Sequence, residues 1–421
     1  MAALKVAGTV RVPGDKSISH RSLILGALAI GESRIRGILD SEDVRSTAGV
    51  LRALGAPVGE IASDMRLEGV GLRGLKQSQG SLDCGNSGTT TRLMAGVAAA
   101  HPFASRFEGD ASLSRRPMKR IAEPLSNMGA RFEFARGDGL PMTVRGGDLR
   151  TIDWNTRAAS AQVKSAILLA ALVAGVEVRV TEKSPSRDHT ERMLRATGVD
   201  VENDGNQVCL RPAKRLTSIQ VDVPADPSSA AFFVALAALA SDGELLLTDV
   251  CLNPTRTGFL EVMKRMGARI DVLETTETGG ETVGTVRVLP SQLRRVSVGA
   301  AEVPSLIDEL PLLACTAAAA GTDLEIRGAE ELRVKESDRI ATVVHNLRVV
   351  GVEVEELPDG MRVIGRKRDL DGVIDPRGDH RIAMAFGVLS AASGNRIRIM
   401  NPECVAVSYP GFWDDLRRVT A

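Results

Sequence analysis

The densest group of chemically capable side chains in the sequence lies at Gly14-Asp15-Lys16-Ser17-Ile18-Ser19-His20-Arg21. Lys16, Ser17, Ser19 and Arg21 fall where an alternating, strand-like run over residues 6–12 gives way to an apolar helix over residues 23–29. Free backbone N–H groups at a helix start, with a lysine, a serine and an arginine beside them, suit a phosphate or a carboxylate. The stretch approaches a nucleotide-binding P-loop, but its glycine spacing is wrong and Asp15 separates Gly14 from Lys16. An anion is therefore expected here, held in some other manner than a P-loop's.

Five further groups share this character: Asn86-Ser87-Gly88-Thr89 with Arg92, Ser160-Ala161-Gln162 with Lys164, Asp226 with Ser228-Ser229, Ser305 with Asp308-Glu309, and Asp379-His380-Arg381. Ser, Asp and Asn are ordinary helix N-caps, and Asp226-Pro227-Ser228-Ser229 reads as capping and turn chemistry only. Arg, Lys and Gln are not needed by a cap. Arg21, Arg92 and Arg381 lie in otherwise apolar helical runs, where burial without an anionic partner is costly. Arg115-Arg116-Pro117, Arg187-Asp188-His189 and Lys335-Glu336-Ser337-Asp338-Arg339 add more cations. Such a set suits small ligands that carry both phosphate and carboxylate. Asp308, in an apolar setting, and Glu336, between Lys335 and Arg339, are candidates for proton transfer and equally for ion pairing; spacing alone leaves both open.

What positions these groups is a repeat. Six apolar, alanine-rich helices start near Lys16, Asn86, Ser160, Ser228, Ser305 and Asp379, at intervals of roughly 67 to 78 residues. Each is followed by a β-like run and then by an amphipathic helix, over residues 44–54, 118–128, 189–196, 258–266, 338–349 and, shorter, 412–417. Five of these stop at a glycine (Gly55, Gly129, Gly198, Gly267, Gly351) before the chain re-enters a strand. The unit reads as helix, strand, helix, strand, strand. Six copies imply an α/β protein of two domains, three units in each, with buried helices covered by sheets.

The 421 residues provide ample material for two cores. Aromatic residues are only 3% and the net charge is zero, which argues against a nucleic-acid or membrane-surface partner. Cys84, Cys209, Cys251, Cys315 and Cys404 show neither disulfide nor metal spacing, and the histidines show none either, so no metal is expected. No targeting pattern is evident and the apolar runs are short, which favours a cytoplasmic setting. Gly69-Val70-Gly71-Leu72-Arg73-Gly74 matches a dinucleotide fingerprint, but no helix follows it. Cys84 reads as a structural cysteine rather than a nucleophile.

The motifs carry a family resemblance. Residues 13–21, Gly85-Asn86-Ser87-Gly88-Thr89-Thr90-Thr91-Arg92, Ser160-Ala161-Gln162, Leu332-Arg333-Val334-Lys335-Glu336-Ser337-Asp338-Arg339 and Asp379-His380-Arg381-Ile382-Ala383-Met384 occur in the order found in the 3-phosphoshikimate 1-carboxyvinyltransferase (EPSP synthase) family. Essentially the whole chain resembles it. The resemblance implies an enolpyruvyl transferase-like inverse α/β barrel, with residues 1–13 and 225–421 in one domain, 14–224 in the other, and the active site in the cleft between them. It implies transfer of the enolpyruvyl group of phosphoenolpyruvate to the 5-hydroxyl of shikimate 3-phosphate, in aromatic amino-acid biosynthesis. Neither metal nor organic cofactor is implied, and a monomer is.

By the same resemblance, Lys16, Ser17, Arg21, Ser160, Ala161, Gln162, Arg187, Asp308 and Lys335 would bind shikimate 3-phosphate, and Lys16, Asn86, Gly88, Arg116, Gln162, Arg339 and Arg381 phosphoenolpyruvate. Asp308 would be the base for the 5-hydroxyl, and Glu336 the acid toward the methylene carbon, supported by Lys16 and Lys335. Val407 stands where some members carry lysine, and Ala161 where some carry a second serine. Gly88 leaves room in this family for the inhibitor glyphosate. The sister transferase acting on UDP-N-acetylglucosamine and a non-catalytic anion-binding protein are the competing readings.

Overall fold

A computed structural model describes residues 4–157, 159–366, 369–392 and 396–420. The chain divides into two compact units. One comprises Gly14–Val223 with Glu277–Glu281, and the other Met1–Pro13, Pro224–Thr276 and Thr282–Ala421.

In the first unit three helices, Lys16–Leu28, Gly88–Ala99 and Ala161–Ala174, are largely apolar beyond their first turns and almost wholly buried. A helix without a polar face is a core helix. Two of them come into close contact: a Cβ on Gly96 would stand 2.3 Å from the carbonyl oxygen of Ala166, so only glycine fits there. Amphipathic helices Glu42–Ala53, Lys119–Met128 and His189–Ala196 follow in turn. The second unit repeats the scheme with Pro227–Leu239, the pair Val303–Leu306 and Leu310–Ala320, and His380–Ala391 as core helices. Gly258–Arg265, Arg339–Val349 and Phe412–Thr420 are its amphipathic helices. The glycine stops behave as the sequence predicts; Gly129 (φ 125°) and Gly351 (φ 92°) take a conformation that side chains disfavour.

Among the described residues, Val303–Ala320 is the one stretch long and apolar enough to cross a membrane. It is mostly buried, and a single 3₁₀ turn, Ile307–Glu309, breaks it and carries two acids. It is a core segment of its unit.

The sheets add an element that the sequence reading lacks. Each core helix is preceded by a short strand, which pairs in parallel with the strand after a core helix. Leu82–Asp83 pairs with Ala104–Glu108 around Gly88–Ala99, and Ile152–Asn155 with Val178–Thr181 around Ala161–Ala174. Val296–Val298 with Leu324–Ile326, and Asp371–Ile374 with Arg396–Ile399, do the same in the other unit. Two leading strands are exchanged. Gly8–Val10 precedes the helix Lys16–Leu28 but pairs with Leu245–Cys251, which follows Pro227–Leu239. Gln220–Asp222 precedes Pro227–Leu239 but pairs with Ile30–Arg36, which follows Lys16–Leu28. The chain therefore leaves one unit after Pro13 and returns at Pro224.

Candidate active site

The first helix start differs from its sequence reading in one respect. Asp15, which seemed to interrupt an anion loop, is the N-cap: its carboxylate accepts from the Ile18 N–H at 2.8 Å. A carboxylate already occupies the place where an anion would meet this helix end, so the side chains of Lys16 and Arg21, rather than the backbone, must supply any anion contact. Lys16 forms an ion pair with the buried Asp43 of the next helix.

Arg21 is 4% exposed. Its Nε donates to Thr190 Oγ1 and its Nη2 to Ser165 Oγ, both at 2.7 Å, and its Nη1 to the Ser17 carbonyl at 3.0 Å. Burial, with the nearby cation Arg187 adding to it against Glu191 and Asp15, pulls the Arg21 guanidinium down to about 10, so it stays charged at neutral pH. Two buried or half-buried cations held near one another fit a shared anion. Lys164, by contrast, is fully committed: it lies between Glu182 (2.7 Å) and Glu191 (2.8 Å), all three buried. Burial opposes its charge, but the two carboxylates outweigh that and hold it above the usual lysine range. Lys164 belongs to the scaffold.

Around the second helix start, Ser87 is the cap, accepting from the Thr90 N–H. Asn86 donates to Asp110 at 2.5 Å and accepts from Arg116 Nη2 at 2.6 Å. Arg92 reaches Gln162 Oε1 at 2.6 Å, and Gln162 in turn reaches Thr89 Oγ1 at 3.0 Å. The helix starts at Gly88 and Ala161 are thus tied together, with two guanidinium groups beside Gly88. Ser160 occupies the N-cap position of its helix, but its hydroxyl makes no cap hydrogen bond.

A buried chain of hydroxyls cross-links these helices. His20 Nδ1 meets Thr47 Oγ1 at 2.7 Å, Thr47 meets Thr90 Oγ1 at 2.7 Å, and Thr90 reaches Ser87 Oγ at 2.8 Å. Among the described residues His20 Nε2 has no hydrogen-bond partner. Burial, then Lys16 and Arg21, hold the His20 imidazole well below the usual histidine range, so it is neutral. Below about pH 6.5 the unfolded chain takes up a proton that the folded His20 refuses, so stability falls as the pH drops, by at most about 1.4 kcal/mol per pH unit. Melting curves between pH 7 and pH 5 should therefore fall less steeply for His20→Gln than for the native protein. Equal slopes would show that His20 does not contribute.

In the second unit the candidate acids converge on one arginine. Arg339, 1% exposed, directs Nη1 to Asp308 (3.1 Å), Nη2 to Glu336 (2.6 Å) and Nε to Asp379 (2.8 Å). Burial opposes this charge, yet Asp379, Glu336 and Asp308 together hold it above the usual arginine range. Lys335 Nζ lies 3.4 Å from Asp308. Lys335 also pairs with Asp308, as Lys16 does with Asp43. Asp379 also caps the helix His380–Ala391, accepting from the Arg381 N–H. Arg381 Nη1 lies 3.7 Å from the buried Glu309.

Ser228 exceeds the capping role read for its segment. Asp226 does cap, but the Ser228 hydroxyl donates to Glu309 and accepts from Arg256 at 3.0 Å. Asp43, Thr190, Ser165 and Glu309 contact candidate site residues although their sequence motifs do not mark them as binding or catalytic groups, and Arg256 contacts Asp226 and Ser228. Val407 ends the 3₁₀ stretch Pro402–Val407.

The family model described as EPSP synthase (3-phosphoshikimate 1-carboxyvinyltransferase) matches residues 2–416. The chain is 47% identical to the 3-phosphoshikimate 1-carboxyvinyltransferase of Persephonella marina, over 99% of this chain and 97% of the relative. To that of Alkalilimnicola ehrlichii it is 48% identical, over 96% and 91%. The solved EPSP synthase of Acinetobacter baumannii superposes with a TM-score of 0.87 at 40% identity, covering 100% of this chain and 97% of that one. The enolpyruvyl transferase NikO of Streptomyces tendae shares the fold, with a TM-score of 0.76 at 18% identity. The family match, the identity over nearly the whole length and the shared architecture agree: the chain belongs to the EPSP synthase (3-phosphoshikimate 1-carboxyvinyltransferase) family.

Proposed function

We propose that this chain transfers the enolpyruvyl group of phosphoenolpyruvate to the 5-hydroxyl of shikimate 3-phosphate and releases phosphate, as a step of the shikimate pathway to aromatic amino acids. The observation that carries the roles of its residues is the single buried guanidinium, Arg339, that gathers Asp308 and Glu336. The reaction needs one group to take a proton from oxygen and another to give one to carbon, close to the same reacting atoms.

In this reading each residue set has a substrate. Arg21 and Arg187, with Lys16, Ser17, Ser160, Ala161 and Gln162, hold shikimate 3-phosphate, the two arginines at its phosphate. Asn86, Gly88, Arg116, Gln162, Arg339 and Arg381, with Lys16, hold phosphoenolpyruvate. Asp308 takes the proton of the 5-hydroxyl as that oxygen bonds to C2 of phosphoenolpyruvate, while Glu336 protonates the methylene carbon. The tetrahedral adduct then breaks its C2–O bond to phosphate as the new methyl group returns a proton, restoring the double bond. Glu336 is the most exposed of the three carboxylates on Arg339, its side chain 22% exposed against 11% for Asp308 and 0% for Asp379. An anionic substrate arriving there adds negative charge beside Glu336 and favours its protonated form, which an acid requires.

No nucleic acid, membrane or second subunit has a part in this reading. The five cysteines are free, four of them buried, which supports a reducing, cytoplasmic setting. The reading is tested by mixing the protein with both substrates at neutral pH and following phosphate release. Release that depends on both substrates is expected; its absence overturns the assignment.

Gly88 offers a sharper probe. A Cβ there would lie 2.8 Å from Arg92 Nη1 and 3.4 Å from Arg116 Nη1, so both guanidinium groups must give way. The backbone at the helix start accepts alanine readily. Gly88→Ala should leave the melting temperature unchanged or slightly higher and raise KM for phosphoenolpyruvate by about tenfold, the effect of one misplaced charged hydrogen bond. An unchanged KM would remove Gly88 from that site.

A further inference from the structure

We infer that Thr190 and Ser165 are positioning residues for the substrate phosphate: a neutral hydroxyl clamp that aims the buried Arg21 guanidinium without neutralising it. The inference rests on the reading of Arg21 as a phosphate ligand.

Three observations carry it. First, the geometry is closed. Thr190 Oγ1 and Ser165 Oγ each accept from Arg21 at 2.7 Å and meet one another at 2.7 Å, so one hydroxyl fixes the other. Both residues are buried, Thr190 1% and Ser165 0% exposed, and they sit on different helices, His189–Ala196 and Ala161–Ala174. A guanidinium held from two helices cannot turn about its long stem. Second, the acceptors are uncharged. Three of the five N–H donors of a guanidinium go to two hydroxyls and a carbonyl, whereas Arg339, equally buried, is ringed by carboxylates. Third, carboxylates are present nearby but otherwise occupied. Glu191, next to Thr190 in the chain, pairs with Lys164, as does Glu182. Two glutamates around one lysine leave a net charge of −1, which offsets Arg21 from a distance without competing for its donors. Such an arrangement keeps a charged fork pointed and available for an incoming dianion, at the expense of burying an under-compensated cation.

The experiment uses steady-state kinetics of the full-length protein, with KM measured separately for each substrate, on Thr190→Val, Thr190→Ser, Thr190→Asp and Arg21→Gln. Thr190→Val keeps the shape and removes the acceptor. It should raise KM for shikimate 3-phosphate by about tenfold, with KM for phosphoenolpyruvate and kcat within about twofold, and Thr190→Ser should restore the native value. Thr190→Asp should raise the same KM further without lowering the melting temperature, because a carboxylate pairs with Arg21 and competes with the phosphate. A role in packing alone predicts the reverse: a lower melting temperature for Val and Asp, with both KM values and kcat moving together. That outcome, or unchanged KM values, overturns the clamp. Should Thr190→Asp not fold, the contrast between Val and Ser decides. Arg21→Gln separates the two levels: if it leaves KM for shikimate 3-phosphate unchanged, the phosphate reading itself fails; if it raises KM while the Thr190 variants do not, only the clamp fails.

Discussion

Replacing Asp308 with Asn is expected to lower kcat by about 10²- to 10⁴-fold, the range of a lost general base, with little change in either KM. The substitution is nearly isosteric. Its amide oxygen can still accept from Arg339 Nη1 and Lys335 Nζ, now 3.1 and 3.4 Å from one carboxylate oxygen, but it cannot take a proton from a hydroxyl. Asp308 lies, buried, on the 3₁₀ turn Ile307–Glu309 that breaks a mostly buried segment. Glu336→Gln should lose kcat on the same scale, since an amide cannot deliver a proton to carbon. A kcat within about tenfold of native in Asp308→Asn would reject the base role. A second outcome is equally informative: a lower melting temperature with a raised KM for phosphoenolpyruvate would mean that Asp308 serves mainly to hold Arg339. The pH dependence of kcat separates the cases, because a lost base removes a limb of the profile and a misplaced arginine does not.

The sequence reading succeeded where signals are long and local. The apolar runs that became Ala161–Ala174 and Pro227–Leu239 have no polar face, and the amphipathic helices end at glycines such as Gly129 and Gly351. It missed what is short or distant. Leu82–Asp83 and Gln220–Asp222 hold too few residues to show a period of two, so the leading strands, and the exchange of two of them, were invisible. The site was legible as residue types but not as pairings. Lys335, Glu336 and Arg339 are close in sequence and their grouping could be read, but Asp379 lies forty residues beyond Arg339 and nothing local joins them. The capping role of Asp15 is not legible because the same carboxylate can interrupt an anion loop or cap a helix, and only backbone geometry separates the two. The sequence shows Ser228 only as part of a cap because its second partner, Glu309, is supplied by another repeat.

Arg339 carries the largest expected effect on stability. Arg339→Ala removes a guanidinium that reaches Asp308, Glu336 and Asp379 together, leaving two buried carboxylates and one half-buried one that repel one another. Breaking a buried ion pair from one side costs about 3–5 kcal/mol; Asp308 keeps Lys335 and Asp379 keeps its cap to the Arg381 N–H, but neither then has the buried guanidinium. Arg339→Lys should recover only part of this, because an ammonium is a single point of charge and the three carboxylates approach along three directions of a planar fork. The pH dependence gives the sign. Stranded carboxylates bind protons more tightly in the folded variant than in its unfolded chain, so their penalty is full at neutral pH and is relieved as the pH falls toward about 5. The gap in melting temperature between native protein and Arg339→Ala should therefore narrow on acidification, even though the native protein itself loses stability there through His20. A gap that is small, or constant between pH 7 and pH 5, would mean that water solvates these carboxylates in the variant and that Arg339 is dispensable to the fold. The candidate acid and base would then owe their placement to the 3₁₀ turn Ile307–Glu309 and the segment before Arg339, rather than to the guanidinium they share.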